Sequence, residues 1–253
     1  MPRAATEPAA AAPHGVLGRF LEIGLQTPDI RASVEFHERL GFSHCVAGDA
    51  WAHPYGVLTD GRLVLGLHQH AVASPSIIFA RADLAAQIPE LQARGIAFER
   101  LRTGNEVFNE IGFCDPAGQN VTVLEARTYS PGDRRREEVS LCGDFVAFSM
   151  PAHDFRGCAS FWESCGFVAL EEQAGPWPHM PLTSDHLDLA LHPPQSLARP
   201  ALVFAAPDMR ERIARLCALG LEPVTGLPRG LDPRDNALFE SPEGMTLLLL
   251  TED

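Results

Sequence analysis

The sequence predicts an α+β chain of four βαβββ modules, paired into two halves. Three observations predict it. First, DIRASVEFHERLG (29–41), DLAAQIPELQARG (83–95), DFRGCASFWESCG (154–166) and DMRERIARLCALG (208–220) each run from an aspartate to a glycine twelve residues on. Second, a short apolar run precedes each segment, and strand-like runs follow each glycine. Third, the aspartates lie 54, 71 and 54 residues apart, so the pattern repeats at an interval of 125. Spacing this regular marks internal repetition, a stronger guide to architecture than any single motif.

Each element has a physical reason. The aspartate can accept hydrogen bonds from the first helical N–H groups, and the glycine tolerates the left-handed conformation that ends a helix. In the first segment Ile30, Val34 and Leu40 lie near one face. Pro89 lacks a backbone donor, which predicts that the second helix starts late or bends. After Gly41 come FSHCVAG, WAHPYGVLT and RLVLGLHQH; after Gly95 come IAFERLR, EVFNEIGFCD and QNVTVLEA. After Gly166 come FVALEEQ, WPHMPLTS and HLDLALH; after Gly220 come LEPVTGL, NALFES and MTLLLLT. Turn chemistry separates several of these, as at Asp60-Gly61, Asp115-Pro116-Ala117-Gly118 and Ser241-Pro242-Glu243-Gly244. A module of this size buries too little surface alone, so modules are expected to pair through their sheets.

The expected division is an N-terminal domain over 19–128 (modules 19–70 and 75–128) and a C-terminal domain over 142–253 (modules 142–193 and 199–252). The polar stretch over 129–141 reads as a linker, and the Ala- and Pro-rich stretch over 1–18 as a disordered tail rather than a secretory signal.

Composition bounds the function. Net charge is −13, and the basic run Arg134 to Arg136 is partly balanced by Glu137 and Glu138. That argues against nucleic-acid and anionic-membrane partners, which need a basic face. No run approaches the roughly 18–20 apolar residues that span a bilayer. The six cysteines include no C-x-x-C pair, as expected of reduced thiols in a cytoplasmic protein. The chain has no lysine, which excludes Schiff-base chemistry on a protein lysine.

Four βαβββ units in two pairs, with Gly41-Phe42 and Gly166-Phe167 after helices and DPAG at 115–118 before a last strand, resemble the vicinal oxygen chelate superfamily. That group includes glyoxalase I, extradiol dioxygenases and bleomycin-binding proteins. The resemblance covers roughly residues 19–252 and implies two curved eight-stranded half-barrels, each closed around a cup. It also implies metal ligands, His or Glu, on the first and last strands of each module. The first-strand ligand is expected seven residues before the capping aspartate, which places Glu22 in the N-terminal cup. The other slots carry Gly66, Ser76 and Thr122, and in the C-terminal half Ala147, Ala190, Ala201 and Leu248. None of these seven is a good ligand for a divalent transition metal.

The expectation is therefore a chain without the full metal site, binding a small organic molecule. Glu22 and His68 are its candidate catalytic pair. Trp51, His53, Ser76, Thr122, Trp177, His179 and His192 are its candidate ligand-binding residues. If it catalyses, proton-transfer chemistry of isomerase or lyase type is expected, with Glu22 as base and His68 or His53 polarising the substrate. The alternatives are a metal-dependent glyoxalase or dioxygenase with ligands rearranged around Glu22, His68 and His70, and a non-catalytic drug- or metabolite-binding protein. Nothing in the sequence separates a monomer from a homodimer.

Overall fold

The computed structural model describes residues 15–45, 53–104, 108–126, 140–175 and 177–252. Most of the expected tail and of the expected linker lie outside these residues, as does Trp51.

The first module runs β1 (Arg19–Gln26), α1 (Ile30–Arg39), β2 (Ser43–His44), β3 (Tyr55–Thr59) and β4 (Val64–His68). The second runs β5 (Ser76–Arg81), α2 (Leu84–Ala93), β6 (Arg100–Arg102), β7 (Glu110–Cys114) and β8 (Asn120–Glu125). The third comprises β9 (Asp144–Pro151), α3 (Phe155–Ser164), β10 (Val168–Ala169), β11 (Met180–Thr183) and β12 (Leu189–His192). The fourth comprises β13 (Ala201–Ala206), α4 (Met209–Ala218), β14 (Ala237–Glu240) and β15 (Thr246–Thr251). The N-terminal sheet is ordered β2-β3-β4-β1-β5-β8-β7-β6, and the C-terminal sheet β10-β11-β12-β9-β13-β15-β14. Modules pair within the chain, through the antiparallel ladders β1–β5 and β9–β13.

The aspartate signal has its expected cause at two helices of the four, and the glycine signal at all four. Asp29 accepts from the backbone N–H groups of Arg31 and Ala32, and Asp154 from that of Gly157. Asp83 and Asp208 make no capping hydrogen bond; each pairs instead with an arginine, Arg81 or Arg212. Gly41, Gly95, Gly166 and Gly220 all have φ between 80° and 104°. Pro89 does not delay α2, which starts at Leu84 and continues through it.

One expectation fails. The C-terminal sheet has seven strands rather than eight among the described residues, because LEPVTGL after Gly220 forms no strand. That segment and the loop beyond it place Leu227 and Leu231 against a small apolar cluster of Trp177, Leu197, Ala201, Val203, Leu238 and Leu248.

A single larger core joins the two halves. On the strands, residues alternate between this core and the concave face. Ile23 and Leu25 of β1, Leu65 and Leu67 of β4, and Ile77 and Phe79 of β5 face the core. The register of β1 against β5 shifts between Phe20 and Glu22, so Leu21 is an extra residue. This bulge lets Phe20 join the core while Glu22, two residues on, faces the cup. β9 carries the same irregularity at Val146, which puts Ala147 where β1 has Glu22.

The halves also grip each other reciprocally. Trp162 of α3 donates its indole N–H to Asp115 in the DPAG turn at 2.9 Å. His37, at the matching position of α1, lies 3.5 Å from Glu243 in the matching C-terminal turn, and both side chains are fully buried.

Candidate functional site

Glu22 is 1% exposed at the floor of the N-terminal cup. A buried carboxylate is costly unless other groups satisfy it. Here Tyr55, on β3, donates its hydroxyl to Oε2. On the other side Nε2 of His68 lies 3.4 Å from Oε1, at ion-pair distance but without a hydrogen bond between them. Tyr55 and His68 are direct partners in the β3–β4 hairpin, and their rings tilt together with centroids 4.7 Å apart. The hairpin register therefore delivers both side chains to the same carboxylate.

Two glycines make the room. A Cβ added to Gly66 would lie 2.2 Å from Oε1 of Glu22 and 2.7 Å from Oε2. One added to Gly24 would meet Ile78 at 2.6 Å and stand 3.6 Å from Nε2 of His68. The Gly66 slot, where the resemblance implies a metal ligand, is thus occupied by the carboxylate of Glu22.

A chain of imidazoles leads outward. Nδ1 of His68 is 3.0 Å from Nε2 of His53, and His53 stacks on His70 with centroids 4.8 Å apart. Burial, then the neighbouring His68 and His70, lower the pKa of His53 and favour its neutral form. His53, His68 and His70 line a cleft of about 470 Å³, together with Ser76 and Thr122, whose hydroxyls are 3.0 Å apart. Glu22 lies behind His68 rather than among the lining residues.

The far side of the cleft was not anticipated from sequence. Arg100 and Arg102 of β6, Glu110 of β7 and Phe108 all line it. Arg100 pairs with Glu110. Period-2 alternation sends Arg100 and Arg102 to the same face, and that signal is present in the run RLR. Tyr55 was also missed, because only cross-strand register links it to position 22.

The residues present do not fit a family-type metal site. Among the described residues, no group of three or more His, Cys, Asp or Glu side chains could hold a metal ion. Nitrogens of His53 and His68 face each other instead of a common point, and Ser76 and Thr122 bond to each other.

The C-terminal cup is built on the same register without the chemistry. Ala147, Ala190, Ala201 and Leu248 occupy the matching positions and are all buried. His192 matches His68, but Ser149 stands where the N-terminal half has Gly24. The Ser149 hydroxyl binds Nδ1 of His192 at 2.7 Å, and Nε2 faces the Leu197 carbonyl at 3.0 Å. Burial pushes His192 down to about 4, so it is neutral at physiological pH. Trp177 is 3% exposed and stacks on His179, whose Nδ1 lies 3.1 Å from the Trp177 carbonyl. Trp177, His179 and His192 thus sit together in the C-terminal half, apart from the Glu22 cleft.

The architecture is shared with ring-cleaving dioxygenases of the vicinal oxygen chelate fold. The homoprotocatechuate 2,3-dioxygenase of Arthrobacter globiformis is 17% identical, with 97% of this chain and 82% of that one covered and a TM-score of 0.61. The 2,3-dioxygenase LapB from Pseudomonas sp. KL28 is 14% identical over 95% of this chain and 94% of that one, with a TM-score of 0.60. An extradiol ring-cleaving dioxygenase from B. fuscum is 17% identical over 98% and 75%, with a TM-score of 0.61. At such identities the likeness defines the fold and leaves the chemistry to the site. No protein-family model matches the chain, and no curated protein sequence matches it. No helix among the described residues is long and apolar enough to cross a membrane.

Proposed function

We propose that the N-terminal cup binds a small organic molecule and moves a proton on it, without a tightly held metal. The carrying observation is the row Glu22, His68, His53, which runs from a buried carboxylate to the wall of a cleft. His53 faces the ligand as acid and base. His68 relays charge between His53 and Glu22. Glu22 is the positioning residue: its carboxylate favours a proton on Nε2 of His68, which leaves Nδ1 to accept from His53. Tyr55 fixes Glu22 in turn. A neutral His53 next to an enolisable C–H suits isomerase or lyase chemistry. Glu22 was expected to be the base; its place behind His68, out of the cleft lining, favours His53 for that role instead.

The test follows deuterium uptake from D2O into a panel of small enolisable ketones and 2-oxo acids by NMR. The wild type is expected to accelerate uptake for at least one compound, and His53→Ala to lose that acceleration by about 100-fold. Activity should fall as pH drops through the lowered pKa of His53, because the base form disappears there. Chelator treatment should leave the rate unchanged. Equal rates for wild type and His53→Ala, or no acceleration across the panel, would remove the reading.

A further inference from the structure

We propose that the ligand of this cleft is a small organic acid, whose carboxylate is held by Arg102 at the rim opposite the histidines. The inference rests on the N-terminal cleft being the working site, and names the class of molecule it takes.

Sheet order fixes the geometry. His68 lies on β4 and His53 just before β3, towards one end of the N-terminal sheet, whereas β6 is the edge strand at the other end. Curvature brings these ends to face each other across the same cleft, whose lining includes both His53 and Arg102. A molecule filling it meets imidazoles at one wall and guanidinium groups at the other.

Charge selects the class. Two arginines, Arg100 and Arg102, reach the cleft from β6, and one lining carboxylate, Glu110, is there to balance them. Glu110 is the ladder partner of Arg102, yet its carboxylate pairs with Arg100. No ion pair or hydrogen bond engages the Arg102 guanidinium among the described residues, and Arg102 is exposed. A guanidinium presents a planar fork of N–H donors that matches a carboxylate in two parallel hydrogen bonds. The chain as a whole carries −13, so an acid would be drawn to it only where cations are local.

Shape narrows the class further. Phe108 is 44% exposed and lines the cleft together with Ile78 and Val72. An aromatic face and branched aliphatic side chains suit a flat apolar body. The ligand class is thus a ring-sized monocarboxylate, with its acid at Arg102 and its reacting end at His53.

Benzoate and benzamide test the claim, because they share a ring and differ in charge. Their binding to wild type and to Arg102→Ala is measured by calorimetry or ligand-observed NMR at two salt concentrations. Benzoate is expected to bind the wild type about tenfold more tightly than benzamide, a difference of about 1.4 kcal/mol. Arg102→Ala should erase the preference, by weakening benzoate far more than benzamide. Added salt should weaken benzoate alone. Equal affinity for the two probes, or a preference that survives Arg102→Ala, overturns the acid assignment and leaves the cleft standing. If neither probe binds, both the assignment and the cleft as a ligand site fail.

Discussion

Glu243→Ala is expected to destabilise the protein by about 3 kcal/mol, the scale on which removing one partner of a buried ion pair acts. Glu243 lies in a turn of the C-terminal half, but its partner His37 is on α1 of the N-terminal half, and neither side chain is exposed. Without the carboxylate, the buried imidazole of His37 would lose the partner that stands 3.5 Å away. For a chain of this size that cost corresponds to a thermal midpoint lowered by roughly 6–12 °C. The same pair sets the acid response. Burial pushes the Glu243 carboxyl up, but the His37 imidazole and the hydroxyls of Ser241 and Ser33 outweigh it and hold it down at about 2. A carboxyl with a depressed folded pKa contributes stability above its unfolded value, and that contribution is lost as pH falls towards the folded one. The wild type should therefore lose stability between about pH 4.5 and pH 2, and Glu243→Ala should lose much less over that range. Urea melts across this window check both expectations. A variant as stable as the wild type at pH 7 would mean that the two halves do not depend on this contact.

Gly66→Ala is the second large effect, and it acts on the site. The new methyl would stand 2.2 Å from Oε1 of Glu22 and 2.3 Å from its carboxyl carbon, inside any tolerable contact. Either the carboxylate moves or the β4 backbone does. A long side chain usually yields cheaply, but this one is walled in, with Tyr55 on one oxygen and His68 beside the other. Overpacking of this kind costs about 1–3 kcal/mol. Displacement of the carboxylate also strips the relay of its anchor, so proton exchange should fall by about 100-fold, as in His53→Ala. Ala190→Gly, the reverse change at the matching position of the C-terminal half, should leave exchange untouched. Circular dichroism and the deuterium-uptake assay separate loss of fold from loss of function. Gly66→Ala that keeps both its stability and its rate would show that the carboxylate does not occupy the β4 slot.

Much of the fold was legible because its signals are local. Aspartate and glycine at fixed spacing mark four helices, and apolar runs between turn residues mark the hairpins. The inward direction of Glu22 was legible only through the family resemblance, which sets the first-strand slot seven residues before Asp29. Its partners were not. Tyr55 meets Glu22 only through cross-strand register, and Gly66 matters for the side chain it lacks. The bulge at Leu21, which separates Phe20 from Glu22 onto opposite faces, has no composition signal. LEPVTGL reads as a strand-like run between turn residues, but in this chain the segment after Gly220 and its continuation to Leu231 pack against the apolar cluster of the C-terminal cup. Arg102 sat in a run read as an ordinary strand, and its importance comes from β6 being the edge that curves back over the cleft. Each miss turns on which residues face each other across the sheet, and a linear reading holds no record of that.

The central claim is that the Glu22 carboxylate grips His68 inside the N-terminal cup. Long-range 1H–15N correlation of the histidine side chains at neutral pH tests it most directly. A proton on Nε2 of His68, protected from solvent exchange and perturbed by Glu22→Gln while the ring signals of His192 stay fixed, is the predicted result. A His68 protonated on Nδ1 alone, or an Nε2 proton indifferent to Glu22→Gln, would contradict it.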